Sequence, residues 1–315
     1  MDERNNVATV SAAEESKEGA DELNDKFRKI LGSCNINFLF GAGVNGDALP
    51  CFDGFAKTIQ VMKDGGLDTS HGIEMGLADC NDAKVRKAVI ESFVCEFNSK
   101  RGYDLGCESL INLKRLITAT NSAVSRAENR HPESKRINVF TLNYDRIVEE
   151  LLEECGFFGY TLTSESGAHL PFDVVGYNTT TRTFIPTFAV YKLHGSVDAN
   201  RELSSKSILF PGPDKLGSIV SHFYETLFAM KGELLRKNSV LFIIGYSWKD
   251  HHVNDIIQSG IKKGLTVVFP KYQVDDHIPE GFGSSPIVLP PAPADPNKPV
   301  DTTKTLAEYF ERAMR

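Results

Sequence analysis

Signals for metal binding, export and membrane insertion are missing from this sequence. Its six cysteines, Cys34, Cys51, Cys80, Cys95, Cys107 and Cys155, form no Cys-x-x-Cys pair. That excludes a zinc ribbon and a thioredoxin-type redox motif. No histidines or carboxylates recur at a spacing that would hold a metal, so no metal site is expected. No apolar run is long enough to cross a bilayer, and the first residues are acidic and polar rather than leader-like. An excess of basic charge is absent too: the formal net charge is -7, which argues against a dominant nucleic-acid surface. With no disulfide framework, the thiols are expected to be buried ones in a cytoplasmic protein.

The chain does have a series of short, largely apolar runs, most of them ending in glycine or polar residues. Ile36 to Phe40 runs into Gly41-Ala42-Gly43-Val44-Asn45-Gly46. Ile137 to Phe140 runs into Thr141-Leu142-Asn143-Tyr144-Asp145, Phe188 to Leu193 into His194-Gly195-Ser196, and Val240 to Ile244 into Gly245-Tyr246-Ser247. A fifth run spans Leu265 to Phe269. Continuous apolar strands alternating with helical stretches indicate a parallel sheet covered on both faces, an α/β, Rossmann-like architecture. Helical periodicity without strands between about 68 and 131 adds a smaller helical insertion. The expected organisation is a mobile tail over 1–21, a catalytic unit over 22–285 and a proline-rich segment with a final helix over 286–315. Helix 147–155 is expected to carry Glu149, Glu150, Glu153 and Glu154 on its outer face.

Ligands of open parallel sheets sit beyond the carboxyl ends of the strands, so the four polar clusters are expected to meet at one crevice. Taken singly they are ambiguous. Gly41, Gly43 and Gly46 have the Gly-x-Gly-x-x-Gly form, which fits a phosphate cradle and a tight turn equally well. Asn143 either binds a ligand or satisfies loop backbone. His194 is either a structural histidine or, beside a glycine at a strand end in the expected crevice, a functional one.

Taken in order, Gly41-Ala42-Gly43-Val44, Thr141 to Asp145, Lys192 to Ser196 and Ile244 to Ser247 with Asp250 and Asn254 resemble the sirtuin superfamily. The similarity is narrower to its bacterial defence-associated branch, whose members hydrolyse NAD. Sirtuin deacylases follow the glycine turn with Pro-Asp-Phe-Arg; here the run is Pro50-Cys51-Phe52-Asp53, and their four-cysteine zinc module has no counterpart. Tyr144 and Tyr246 are of the kind the NAD-hydrolysing branch shows.

The resemblance implies an NAD+ hydrolase releasing nicotinamide and ADP-ribose, with NAD+ as substrate and no metal. It implies Asn143 and His194 as catalytic residues. Gly41, Ala42, Gly43, Val44, Phe52, Thr141, Asp145, Gly245, Tyr246, Ser247 and Asn254 would contact the dinucleotide, with backbone amides at 41–44 on the pyrophosphate and Phe52 over the nicotinamide. It also implies antiphage defence, with restraint by homo-oligomerisation or by a regulatory partner such as an ATPase or an Argonaute-like protein, and no membrane or direct nucleic-acid contact. Two other readings are an NAD-dependent protein deacylase and a catalytically silent NAD or ADP-ribose sensor.

Overall fold

The computed structural model describes residues 21–70, 72–127, 130, 135–162, 172–175, 187–210, 224–272, 282, 287–289 and 301–315, with backbone alone at 74, 75 and 172–175. The tail expected over 1–21 lies outside these residues except for its last position, which opens a helix, α1, over residues 21–33. Most of the proline-rich segment also lies outside them.

Eight strands form one sheet in the order β4-β3-β5-β2-β1-β6-β7-β8. They are β1 Asn35–Phe40, β2 Arg136–Thr141, β3 Phe158–Leu162, β4 Phe172–Val175, β5 Thr187–Lys192, β6 Ser239–Ile244, β7 Thr266–Pro270 and β8 Ile287–Leu289. Every neighbouring pair is parallel except β3 with β4. The central register sets Phe38 beside Val139 on one side and Phe242 on the other.

The apolar runs are continuous because both faces of the sheet are buried. Ile36, Phe38, Phe40, Val139 and Phe242 face a core shared with Phe27 of α1, with α5 (Glu108–Arg126) and with the last helix, α9 (Thr302–Ala313). Their neighbours Leu39, Phe140, Leu241 and Ile243 face the opposite core, closed by α7 (Tyr224–Leu234) and α8 (His251–Ile261). Residues alternate between the two layers as the pleat requires.

A third core stands apart from the sheet. Phe55, Met62, Ile73, Leu77, Val89, Phe93 and Phe97 come from α2 (Ala56–Asp64), α3 (Gly72–Ala78), α4 (Ala83–Ser99) and the turn before α2. They pack with Val197, Leu203, Ile208 and Phe210. The helical insertion is therefore drawn differently from the expected 68–131. Packing gathers 52–99 into it and hands α5 to the sheet domain, because Leu110, Leu113, Leu116 and Ile117 belong to the core shared by β1 and α9 and not to that of α4.

Helix α6 (Ile147–Cys155) brings a second correction. Glu149 is 2% exposed rather than on the outer face. Its carboxylate lies 3.2 Å from the buried Lys192 ammonium.

Candidate functional site

A cavity of about 850 Å³ opens where the carboxyl ends of β1, β2, β5, β6 and β7 meet. The turn after β1, the Leu142–Asp145 loop, His194 and the Gly245–Asp250 loop all line it, and Phe52, Phe55, Phe93 and Phe97 roof it. The four polar strand ends thus converge. This follows from the sheet order, in which β2 to β5 lie on one side of β1 and β6 to β8 on the other, so the strand order reverses at β1.

The glycines at the centre are there because two backbones touch. The Gly41 amide donates to the Ile244 carbonyl at 3.0 Å and the Gly43 amide to the Gly245 carbonyl at 3.1 Å. A Cβ on Gly43 would stand 2.8 Å from the Gly245 Cα, and one on Gly41 would run into the Gly245 carbonyl oxygen. Gly245 itself has φ +64, where a side chain is strained. The Val44 amide donates to the Gly41 carbonyl at 3.1 Å. Three of the four amides expected to hold a pyrophosphate are therefore engaged within the protein. The turn offers a ligand close backbone approach more than a row of free donors.

Behind the turn is a carboxamide and carboxylate network. Asn143 donates its side-chain nitrogen toward the Gly41 carbonyl (3.2 Å) and the Asn45 side-chain oxygen (3.3 Å). Asn45 in turn donates to the Asp145 carboxylate at 2.7 Å, whose other oxygen takes the Ile147 amide at 3.0 Å. Below them the buried Lys192 ammonium donates to the Asp145 carbonyl, lies 3.5 Å from that of Asn143, and pairs with Glu149. The Leu142–Asp145 loop is held from both sides.

His194 stands against Asp250, its Nε2 at 2.9 Å from the carboxylate, with both residues buried. Asp250 precedes α8 in the N-cap position, yet its side chain makes no capping hydrogen bond. Such a residue ordinarily accepts an amide from the first turn, for about 1 kcal/mol. Here its carboxylate turns to the imidazole instead.

Of the other sequence-derived candidates, Gly41, Ala42, Gly43, Phe52, Asp145, Gly245, Tyr246 and Ser247 line the cavity. Val44, Thr141 and Asn254 do not. Val44 is packed in the sheet core. The Thr141 hydroxyl accepts the Asn143 amide at 3.1 Å. Asn254 lies 2.8 Å from the Tyr246 hydroxyl and donates to the Trp248 carbonyl at 2.7 Å, bracing the Gly245–Asp250 loop from behind.

At the mouth, Lys249 pairs with Asp53 at 3.7 Å, linking the loop after β6 to the insertion. Cys51 lines the cavity and is exposed rather than buried as expected; partial desolvation at the cavity wall, with the Asp53 carboxylate adding to it, holds its thiol above the ordinary pKa. Among the described residues no group of three His, Cys, Asp or Glu side chains is placed to hold a metal ion.

Residues 137–277 match the family model of the SIR2-like domain. No curated protein matches the sequence. Among solved structures the chain is similar to a Sir2 homologue in complex with NAD, at 13% identity, covering 92% of this chain and 95% of that one, with a TM-score of 0.51. It also aligns with a Sir2 enzyme solved to explain mechanism and regulation (12% identity, 94% and 98% covered, TM-score 0.47) and with Sir2Tm bound to a propionylated peptide (14%, 91% and 97%, 0.45). At these identities the likeness is one of fold.

Proposed function

We propose that this cavity binds NAD+ and hydrolyses its nicotinamide–ribose bond, giving nicotinamide and ADP-ribose. The observation that carries the reading is the opening of Asn143 and His194 onto one cavity, beneath an aromatic roof and beside a glycine turn of the SIR2-like fold.

The chemistry needs little more. Nicotinamide leaves as a neutral molecule, so no strong acid is required at the leaving group, and the sugar becomes an oxocarbenium-like cation. The enzyme's work is to hold the dinucleotide, exclude bulk water and admit one water to the anomeric carbon. In this reading Phe52 and Phe93 shield the nicotinamide end. The Asn143 carboxamide, its nitrogen already donating, offers its carbonyl oxygen to orient the water or a ribose hydroxyl. His194 takes the proton. Asp145 keeps negative potential near the developing cation. Gly245 and Ser247 face the adenosine half, while Thr141, Asn254 and Val44 act through the loops they support.

Water is favoured over an acyl-lysine as acceptor by the strand edge beside His194. The Leu209 amide donates to the His194 carbonyl at 2.8 Å and the Ser196 amide to the Ser207 carbonyl at 3.2 Å. The chain's own segment thus takes up the backbone groups of 194 and 196 that an extended peptide could otherwise pair with. Restraint of so destructive an activity, by self-association or by an ATPase or Argonaute-like partner in a defence setting, belongs to the same proposal.

Purified protein incubated with NAD+, with and without acetylated peptide, and resolved by chromatography tests it. Nicotinamide and ADP-ribose released without peptide support hydrolysis. Peptide-dependent release would mean deacylation, and binding without turnover a sensor. His194→Ala or Asn143→Ala should each lower turnover about 10²–10⁴-fold. Near-wild-type rates in either variant would remove the assignment.

A further inference from the structure

We propose that Asp250 is a positioning residue for His194. Its carboxylate accepts the Nε2 proton, fixing the imidazole's tautomer and direction so that Nδ1 is the nitrogen presented to the reacting centre. This rests on the reading of the cavity as a site of glycosidic hydrolysis, but the pairing itself is a matter of geometry.

Three observations converge on it. The carboxylate lies 2.9 Å from Nε2, and both groups are withdrawn from solvent, Asp250 to 4% and His194 to 8% exposure. A hydrogen bond to an ionised acceptor in such surroundings is short, directional and strong. Second, Asp250 forgoes the helix-capping bond that its position offers. Third, its backbone is held in place: the Tyr246 hydroxyl lies 3.0 Å from the Asp250 carbonyl and 2.8 Å from the Asn254 side-chain oxygen, and the Asn254 amide accepts no role at the cavity but ties back to Trp248. The loop that lines the nucleotide side of the cavity is thus the loop that aims the imidazole.

The proton balance is simple. Neutral His194 carries its proton on Nε2, donated to Asp250. The attacking water gives a proton to Nδ1 as its oxygen bonds to the anomeric carbon and the nicotinamide nitrogen leaves with the bonding electron pair. The imidazolium then lies against a carboxylate, and its extra proton passes to solvent as ADP-ribose departs.

Imidazole ¹⁵N NMR of the full chain tests the pairing without reference to turnover, the His194 resonances being identified by their loss in His194→Gln. In the wild type with the imidazole neutral, Nε2 should read as protonated and Nδ1 as bare. Asp250→Asn, whose amide can donate as well as accept, should shift His194 toward the other tautomer. It should also lower kcat for NAD+ about 10²–10⁴-fold with KM changed less than about threefold. Because the side chain caps nothing, the fold should survive; Asp250→Ser, which supplies a capping hydroxyl, carries the same comparison if it does not. Identical His194 resonances in wild type and variant overturn the proposal, even if turnover falls. A changed tautomer in a protein that never turns over NAD+ upholds the pairing and discards the hydrolase reading instead.

Discussion

At the scale of single residues, the sharpest energetic commitment is Lys192. It is 1% exposed, one strand position before the Leu193–His194 turn, and faces a glutamate that is 2% exposed. A buried pair is weak evidence of net stability, because desolvation opposes attraction, but removing one partner strands the other. Lys192→Met should therefore cost about 3–5 kcal/mol. Adding Glu149→Leu should return most of it, since an apolar pair of similar volume is often neutral. Urea denaturation measures both, and a double variant no more stable than the single one would contradict the pairing. Turnover should not recover, because the carbonyls of Asn143 and Asp145 have lost their donor.

The residues that meet at the cavity were legible where a strand ends in an unusual polar group, as at Asn143 and His194. What was not legible is partnership. Asp250 reads in sequence only as part of the motif that follows β6, and Glu149 as one of four surface glutamates. Each is given its partner by a distant segment, His194 and Lys192 respectively. The glycine turn was legible as a turn, but the reason for it, a second glycine backbone pressed against the first, required the position of β6.

At the scale of elements, β1, β2, β5, β6 and β7 were plain in the sequence because two-sided burial leaves them largely apolar, with Asn37, Asn138 and Lys192 as buried polar exceptions. The edge strands were not: β3 alternates half-buried and buried positions, and β8 is three residues long with Val288 exposed. At the opposite end of the sheet, Glu233 on α7 clamps Arg136 of β2 and Arg236 beyond its own helix. Burial raises the Glu233 pKa, but the hydrogen bond from Arg236 and the charge of Arg136 outweigh it and hold the group below the ordinary glutamate value. A carboxylate depressed in the folded state contributes stability above its unfolded pKa and loses it as pH falls through the folded one. Glu233→Gln should thus be less stable than wild type at neutral pH, with the gap narrowing below about pH 4. Thermal melts across pH 3–7 check the sign; a gap constant over that range would rule the clamp out.

For the molecule as a whole, the sheet and the roof are separate cores meeting over the cavity. Phe93 lies at the middle of the roof, with ring centroids 4.6 Å from Phe52, 4.9 Å from Phe55 and 5.6 Å from Phe210. Phe93→Ala should cost about 3–5 kcal/mol, felt in the roof before the sheet. Hydrogen exchange should quicken over 56–99 while β1 and β6 stay protected. Equal loss of protection in both would show them to be one cooperative unit.

Because Gly41, Gly43 and Gly245 interlock through backbone alone, the floor of the cavity is fixed without help from any side chain, while its ceiling is made of aromatic rings that belong to a separate core. In the proposed reading, adjustment to a guest then falls to the ceiling, and tight hold to a floor with nothing left to rearrange. Loosening the ceiling should quicken both arrival and escape without altering how a guest is seated.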